Sequence, residues 1–112
     1  MSENSLTRKG PRIHLYHPVL YSYADNPALK NSGLLLDISM QGAQIKMCRA
    51  SAQKNFTIHW APVAGFPPHT IEAEILRDNN SCCGVQFTKI TALAKKTIES
   101  LIYYHLNQTN SK

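Results

Sequence analysis

The sequence predicts a mainly β domain, with six short antiparallel strands in a small barrel or sandwich and one C-terminal helix over an open end or face. Three observations carry this reading. Apolar and polar residues alternate in short runs between residues 13 and 88, the period of half-buried strands. Turn-forming residues interrupt those runs at near-regular intervals, as in small barrels and sandwiches. After residue 91 the apolar spacing changes to three and four, the period of an amphipathic helix.

Residues 1–12 are polar and basic, and Gly10-Pro11 rules out a regular helix there. They read as a flexible basic N-terminal arm. Ile13, Leu15, Val19, Tyr21 and Tyr23 share one parity, which gives a first strand over 13–24. Pro18 lacks an N–H and calls for an edge or bulged position. Asp25-Asn26-Pro27 and Lys30-Asn31-Ser32-Gly33 read as turns. Leu34 to Ile38 form the second strand, and Ala43, Ile45 and Met47 mark the third. Phe56, Ile58 and Trp60 mark the fourth, and Ile71, Ala73 and Ile75 the fifth. Asp78-Asn79-Asn80-Ser81 is a hairpin turn signal before the sixth strand, marked by Cys83, Val85 and Phe87. Ala94, Ile98, Leu101, Ile102, His105 and Leu106 place the helix at 92–107, with Thr91 as N-cap. Residues 108–112 read as a polar tail.

At 112 residues and 12.5 kDa the chain has room for one core. A domain of this size hides about two-thirds of the surface of its unfolded chain and can fold without staples. A hydrophobic fraction of 43% and a charged fraction of 17% are those of a globular protein. No apolar run approaches the ~20 residues of a membrane helix, so no membrane insertion is expected. The first residues lack the apolar stretch of a secretory signal. Cys82 and Cys83 are adjacent, Cys48 is remote, and no C-x-x-C pair occurs. This suggests free thiols in a reducing compartment, hence a cytoplasmic protein.

The usual catalytic signatures are missing. There is no Gly-rich phosphate loop and no G-x-S-x-G elbow. His14 and His17 fall on opposite faces of a strand, and no zinc-type ligand spacing appears. Cys82 and Cys83 point to opposite faces of the sixth strand, which favours a structural role. No enzyme, metal or cofactor is therefore expected.

Two features rise above this background. Arg8-Lys9-Gly10-Pro11-Arg12 puts two arginines four apart in the arm. Each guanidinium is a permanent charge whose planar fork matches phosphate oxygens or the O6/N7 edge of guanine. The second is Asp37-Ile38-Ser39-Met40-Gln41-Gly42, where a strand ends in a turn. A carboxylate there can accept two hydrogen bonds from the N1–H and N2–H₂ of a guanine, and the serine hydroxyl can donate or accept. Gly42 permits positive φ. The plainer reading is a hairpin in which Asp and Ser satisfy their own backbone.

Taken together, Arg8 and Arg12 (R-x-x-x-R) with Asp37, Ser39 and Gly42 (D-x-S-x-x-G) resemble the PilZ domain family. Gly84-Val85-Gln86-Phe87-Thr88 before the helix also fits, and the resemblance spans residues 7 to about 106. It implies a six-stranded antiparallel split β-barrel with a C-terminal α-helix over 13–107. It also implies binding of the bacterial second messenger cyclic di-GMP, as a monomer or an intercalated dimer. On this likeness Arg8 and Arg12 clamp phosphates and guanine edges, Asp37 and Ser39 hold a guanine, and Gly42 lets the backbone approach. Lys9 and Thr7 rank as auxiliary, and Thr7, before the first arginine, bears on ligand stoichiometry. Where the family often has two adjacent arginines, this chain has Thr7 and Lys9 beside Arg8.

The expected function is therefore a cyclic di-GMP receptor. With no fused output domain in this sequence, the signal would pass to a separate protein that regulates motility or biofilm formation. The helix face bearing Lys95, Lys96, Tyr103 and Tyr104 is a candidate partner surface. One alternative is a PilZ-like interaction adaptor that does not use the ligand. Another is a small basic barrel binding single-stranded nucleic acid through Tyr16, Tyr21, Tyr23 and Trp60. The charge distribution disfavours a nucleic-acid polymer. The net charge is +5, and residues 1–12 hold Arg8, Lys9 and Arg12 against Glu3, while the other basic residues, apart from the adjacent Lys95 and Lys96, are scattered singly.

Overall fold

The structure, a computed structural model, describes residues 12–47, 53–61, 67–79 and 81–110. Most of the expected arm, Cys48 and residues 111–112 lie outside the described residues. Six strands precede one helix: β1 (Ile13–Tyr23), β2 (Asn31–Ile38), β3 (Gly42–Lys46), β4 (Asn55–Trp60), β5 (His69–Asn79), β6 (Cys82–Lys89) and α1 (Ala92–Asn110). All pairings are antiparallel, and the sheet closes as a barrel in the order β1-β2-β3-β6-β5-β4.

The closing seam is short. β1 pairs with β4 only over Leu20–Tyr23, against Phe56–His59. The first half of β1 therefore has β2 as its only strand neighbour among the described residues. Pro18 lies in that half, where a missing N–H breaks no ladder. The gap is bridged by a side chain instead, as Trp60 Nε1–H donates to His17 Nδ1 at 3.2 Å.

Alternation fills the interior as expected. Val19, Tyr21 and Tyr23 of β1 are buried, as are Phe56, Ile58 and Trp60 of β4 and Ile71, Ala73 and Ile75 of β5. Tyr21 meets Tyr23 and Phe56 edge-to-face, at centroid distances of 5.9 and 6.1 Å. Burying one such aliphatic or aromatic side chain contributes about 1.5–3 kcal/mol. Cys83 faces in and Cys82 is half-buried on the other face, as alternation requires.

The helix packs against the barrel, its buried face joining the core. Ala94 N–H donates to Thr91 Oγ1 at 3.0 Å, so Thr91 is the N-cap. Ala94, Ile98 and Ile102 are buried at four-residue spacing, while Lys95, Lys96 and Glu99 face solvent. Thr97 Oγ1 donates to Leu93 O at 3.2 Å and lies 2.9 Å from His69 Nε2. The one hydroxyl proton is thus committed, which makes His69 Nε2 the donor and ties α1 to β5.

Three boundaries differ from the reading of the sequence. Asn31, Ser32 and Gly33 are not a turn but the start of β2, paired with Tyr21, Leu20 and Val19. Ladder bonds use the backbone, so turn-prone side chains do not prevent them. Gly33 also leaves room for the Tyr21 ring, about 3.2 Å from where its Cβ would stand. β5 runs past Ile75 to Asn79, so the hairpin turn is shorter than Asp78–Ser81, with Ser81 in the left-handed region at φ 62°. The helix continues to Asn110, past residue 107 and into the expected polar tail. Apolar periodicity gives out at Leu106, so it could not show where the backbone bonds end.

Gly42 is also explained differently. Its backbone is not in the positive-φ region; rather, a Cβ there would run into the carbonyl oxygen of Val85 on β6. Gly42→Ala should therefore cost roughly 1–3 kcal/mol by overpacking, read as a lower urea midpoint with an unchanged slope. A second outcome concerns pH. Burial lowers the pKa of His69, and burial followed by the charge of Lys30 lowers that of His59. The unfolded chain, near the ordinary 6.5, takes up these protons first as pH falls. The histidine contribution is thus fully present above 6.5 and is lost as pH falls below it. Urea midpoints should drop between pH 7 and 5.5, and less steeply for His69→Gln, which keeps a donor for Thr97 but does not titrate.

Candidate functional site

Two bulges decide which way the charged residues of the sheet face. In β2, Leu35 pairs with Ile45 and Asp37 with Gln44, so β2 spends two steps against one on β3. The extra residue breaks parity. Leu35 and Ile38, three apart, are both in the core at 2% and 1% exposure. Strict alternation from Leu35 would have pointed Asp37 into the core; the bulge turns it to the other face of the sheet, where it is buried beside Arg12.

The same device recurs in β5. Ile75 pairs with Val85 and Arg77 with Gly84, leaving Leu76 as the extra residue. Alternation from Ile71, Ala73 and Ile75 would have sent Arg77 into the core. Instead Arg77 and Leu76 are both exposed. A third bulge lies in β1, where three steps from His14 to His17 match two from Asp37 to Leu35. Tyr16 there adopts a left-handed φ of 53° and is 68% exposed. That conformation costs a non-glycine residue about 1–3 kcal/mol.

Asp37 meets Arg12 across β1 and β2. Arg12 Nη1–H donates to Asp37 Oδ1 at 2.7 Å, with the carboxylate side chain 8% exposed and the guanidinium 32% exposed. The structure thus joins one member of the arginine pair to the acid of the turn motif, 25 positions away. Among the described residues this is the one ion pair. It occupies one of five guanidinium N–H donors and one of two carboxylate oxygens. Four donors and an acceptor oxygen remain for a further partner.

The turn after Asp37 is held closed by its own groups. Ser39 N–H donates to Gly42 O at 2.8 Å, and Ser39 Oγ–H donates to the same oxygen at 3.3 Å. Ser39 Oγ also accepts from Gln41 N–H at 3.4 Å. The plainer reading of this serine is therefore realised in the hairpin, with one hydroxyl lone pair left over. Met40 is half-buried against the core, and Phe87 N–H donates to Gln41 O at 2.8 Å, which anchors the turn to β6. Gly42 sits against β6 as described above. Of the other candidates, Arg8, Lys9 and Thr7 lie outside the described residues.

The register aligns a row of residues across five strands. His14 pairs with Asp37, Asp37 with Gln44, Gln44 with Gly84, and Gly84 with Arg77. Cys83 and Val85 face the core, so Gly84 faces out. The Arg77 guanidinium lies over this glycine. A Cβ at Gly84 would stand 3.1, 3.2 and 3.5 Å from its Nη2, Nε and Cζ. Reading the sequence did not place Arg77 and Gln44 on this row, because no spacing rule shows a bulge. Gly84 within an alternating strand was the one available signal, since it marks a close approach from outside.

Tyr21, Tyr23 and Trp60 are 1%, 4% and 2% exposed. Of the four aromatics expected to form a stacking row for single-stranded nucleic acid, only Tyr16 reaches the surface. No group of three or more metal-ligating side chains occurs among the described residues. No helix among them is long and apolar enough to cross a membrane.

Comparison with known proteins places this geometry in a family. A sequence profile described as "PilZ domain" matches residues 6–104. No curated protein matches the sequence. Among solved structures, the chain is similar to the PilZ domain of CeSA from a cellulose-synthesizing bacterium. The TM-score is 0.66 at 23% identity, covering 84% of this chain and 96% of that one. It is also similar to the Borreliella burgdorferi PlzA protein in complex with c-di-GMP, with a TM-score of 0.63 at 17% identity, covering 82% of this chain and 39% of that one. An uncharacterized Legionella protein matches with a TM-score of 0.56 at 17% identity, over 92% of this chain and all of the other. At these identities the structural likenesses speak for the fold, whereas the profile covers most of the sequence together with its turn motif and arginines: the chain belongs to the PilZ domain family.

Proposed function

We propose that this chain is a receptor for cyclic di-GMP that binds through Arg8, Arg12, Asp37, Ser39 and Gly42 and relays the signal to a separate partner protein. The observation that carries this is the part-buried Arg12–Asp37 contact, which joins the two halves of the motif. Membership of the PilZ family and the c-di-GMP complex of the similar Borreliella protein support the choice of ligand.

The chemistry runs as follows. The free oxygen of Asp37 accepts from the N1–H and N2–H₂ edge of a guanine. The spare donors of Arg12 take a phosphate or the O6/N7 edge, and Arg8 takes the other phosphate. The remaining lone pair of Ser39 accepts from the ligand. Gly42 acts indirectly, by letting the turn close against β6. Lys9 adds charge without a fork, and Thr7 influences whether a monomer or an intercalated dimer is held. A ligand held by Arg8 and Arg12 beside the turn would present a new surface there. The turn is tied to β6, and β6 leads into α1, whose exposed Tyr103 and Tyr104 offer a surface to the partner. The burial of Tyr21, Tyr23 and Trp60 counts against the nucleic-acid reading.

Calorimetric titration with cyclic di-GMP, GTP and a single-stranded oligonucleotide in parallel tests the proposal. Heat is expected with cyclic di-GMP alone, and its absence at tens of micromolar protein rejects the reading. Arg8→Ala, Arg12→Ala and Asp37→Ala should each weaken binding by about 1.5–3 kcal/mol, the cost of one charge-assisted contact. The exposed Lys89, changed to Ala, is the control and should leave binding unaltered.

A further inference from the structure

We infer that His14 belongs to this ligand site and that binding of the anionic ligand is coupled to the uptake of a proton by its imidazole. The inference rests on the cyclic di-GMP reading above and adds a residue that neither half of the motif contains.

Three observations carry it. The first is register. His14 is the direct cross-strand partner of Asp37, and the neighbouring Ile13 is the partner of Ile38. Ile13 and Ile38 are buried in the core, so His14 and Asp37 share the opposite face of the sheet. Directly opposed side chains on one face have Cβ atoms about 4.5–5.5 Å apart. The second is access. His14 is exposed, and β4 pairs with β1 only from Leu20 onward, so none of the described strands covers its far side. The third is that the imidazole is uncommitted. Arg12 takes Oδ1 of Asp37, whereas the His14 side chain has no hydrogen bond or ion pair among the described residues.

Charge decides what this imidazole does. Arg8 and Arg12 bring two positive charges to the site and Asp37 one negative. That leaves a single positive charge to meet the two phosphates of a cyclic dinucleotide. An imidazolium beside Asp37 closes the balance. Histidine is the side chain whose ordinary titration falls between about pH 5 and 8, so it can supply the charge when the ligand arrives. The titratable or charged groups that register and sequence place beside it are Arg12 and Asp37, which neutralise each other, with Tyr16 and His17 further along β1. His17 is engaged elsewhere, accepting from Trp60. A ligand that brings a proton onto the protein binds more tightly as pH falls. The loss of stability at His59 and His69 acts in the opposite direction, so the two effects cannot be confused.

The test is calorimetric titration of the full chain with cyclic di-GMP at pH 6, 7 and 8, in buffers of different ionisation enthalpy so that protons are counted directly. The unsubstituted chain should bind roughly two- to fivefold tighter at pH 6 than at pH 8, the worth of one charge at a solvated site, with net proton uptake at pH 7. His14→Gln keeps a donor but cannot take up charge. It should match the unsubstituted chain at pH 8 and lose the gain at pH 6. His14→Lys carries its charge throughout and should bind tightly at both pH values, without proton uptake. His105→Gln, on the exposed side of α1, should keep the full pH dependence. Affinity that does not change with pH in the unsubstituted chain, or a gain at pH 6 that survives in His14→Gln, would overturn the inference. Silence from the unsubstituted chain at every pH would instead reject the ligand reading and this inference with it, a result distinct from the others.

Discussion

The geometry of this domain depends on one conflict between burial and periodicity. A strand shows alternate residues to opposite faces, so residues an odd number apart cannot both face the core without a break. β2 buries Leu35 and Ile38. The bulge between Leu35 and Asp37 resolves the conflict by adding one residue to β2. Its by-product is a carboxylate on the outside of an otherwise apolar strand end. A slip of one residue would point Asp37 into the core, away from Arg12, and expose Ile38. An unpaired buried charge costs several kcal/mol, so the hydrophobic core itself enforces the position of the polar site. β5 repeats the solution at Leu76, and the two outward-turned side chains, Asp37 and Arg77, lie on one row.

The Arg12–Asp37 pair works as an organiser more than as a source of stability. Pairs with a partly exposed partner contribute on the order of 1 kcal/mol or less. Its value is geometric. A bare carboxylate and a bare guanidinium must each be oriented when a ligand arrives, at an entropic cost. Here each already fixes the other at 2.7 Å and keeps unused hydrogen-bonding capacity. Further hydrogen bonds can be added to the pair without breaking it.

Much of this was legible in the sequence, and the remainder failed for identifiable reasons. Alternation at Phe56-Ile58-Trp60 and Ile71-Ala73-Ile75 located β4 and β5, because one face of each is buried. Thr91 marked the helix start, since a hydroxyl at that place has one favourable use. Arg12, Asp37 and Ser39 were nominated by their chemistry, although the hydrogen bonds of Ser39 within its own turn were not visible beforehand. The positive φ that Gly42 permits is not used: its place depends on the close approach of Val85, 43 positions further along the chain. The outward facing of Arg77 was not legible because a bulge reverses facing without changing composition. Asn31-Ser32-Gly33 misled because turn preference is a side-chain property and strand pairing a backbone one.

The short seam between β1 and β4 leaves the first half of β1 with a free edge among the described strands. Unpaired edges are templates on which a foreign strand can add, the first step of sheet-to-sheet aggregation. This edge is poorly suited to that. Pro18 offers no donor to a newcomer, and the left-handed backbone at Tyr16 throws the remaining groups out of line two residues earlier. The strain held at Tyr16 thus has a protective consequence: among the described strands, the first half of β1 can keep one edge unpaired without inviting another chain to complete the sheet.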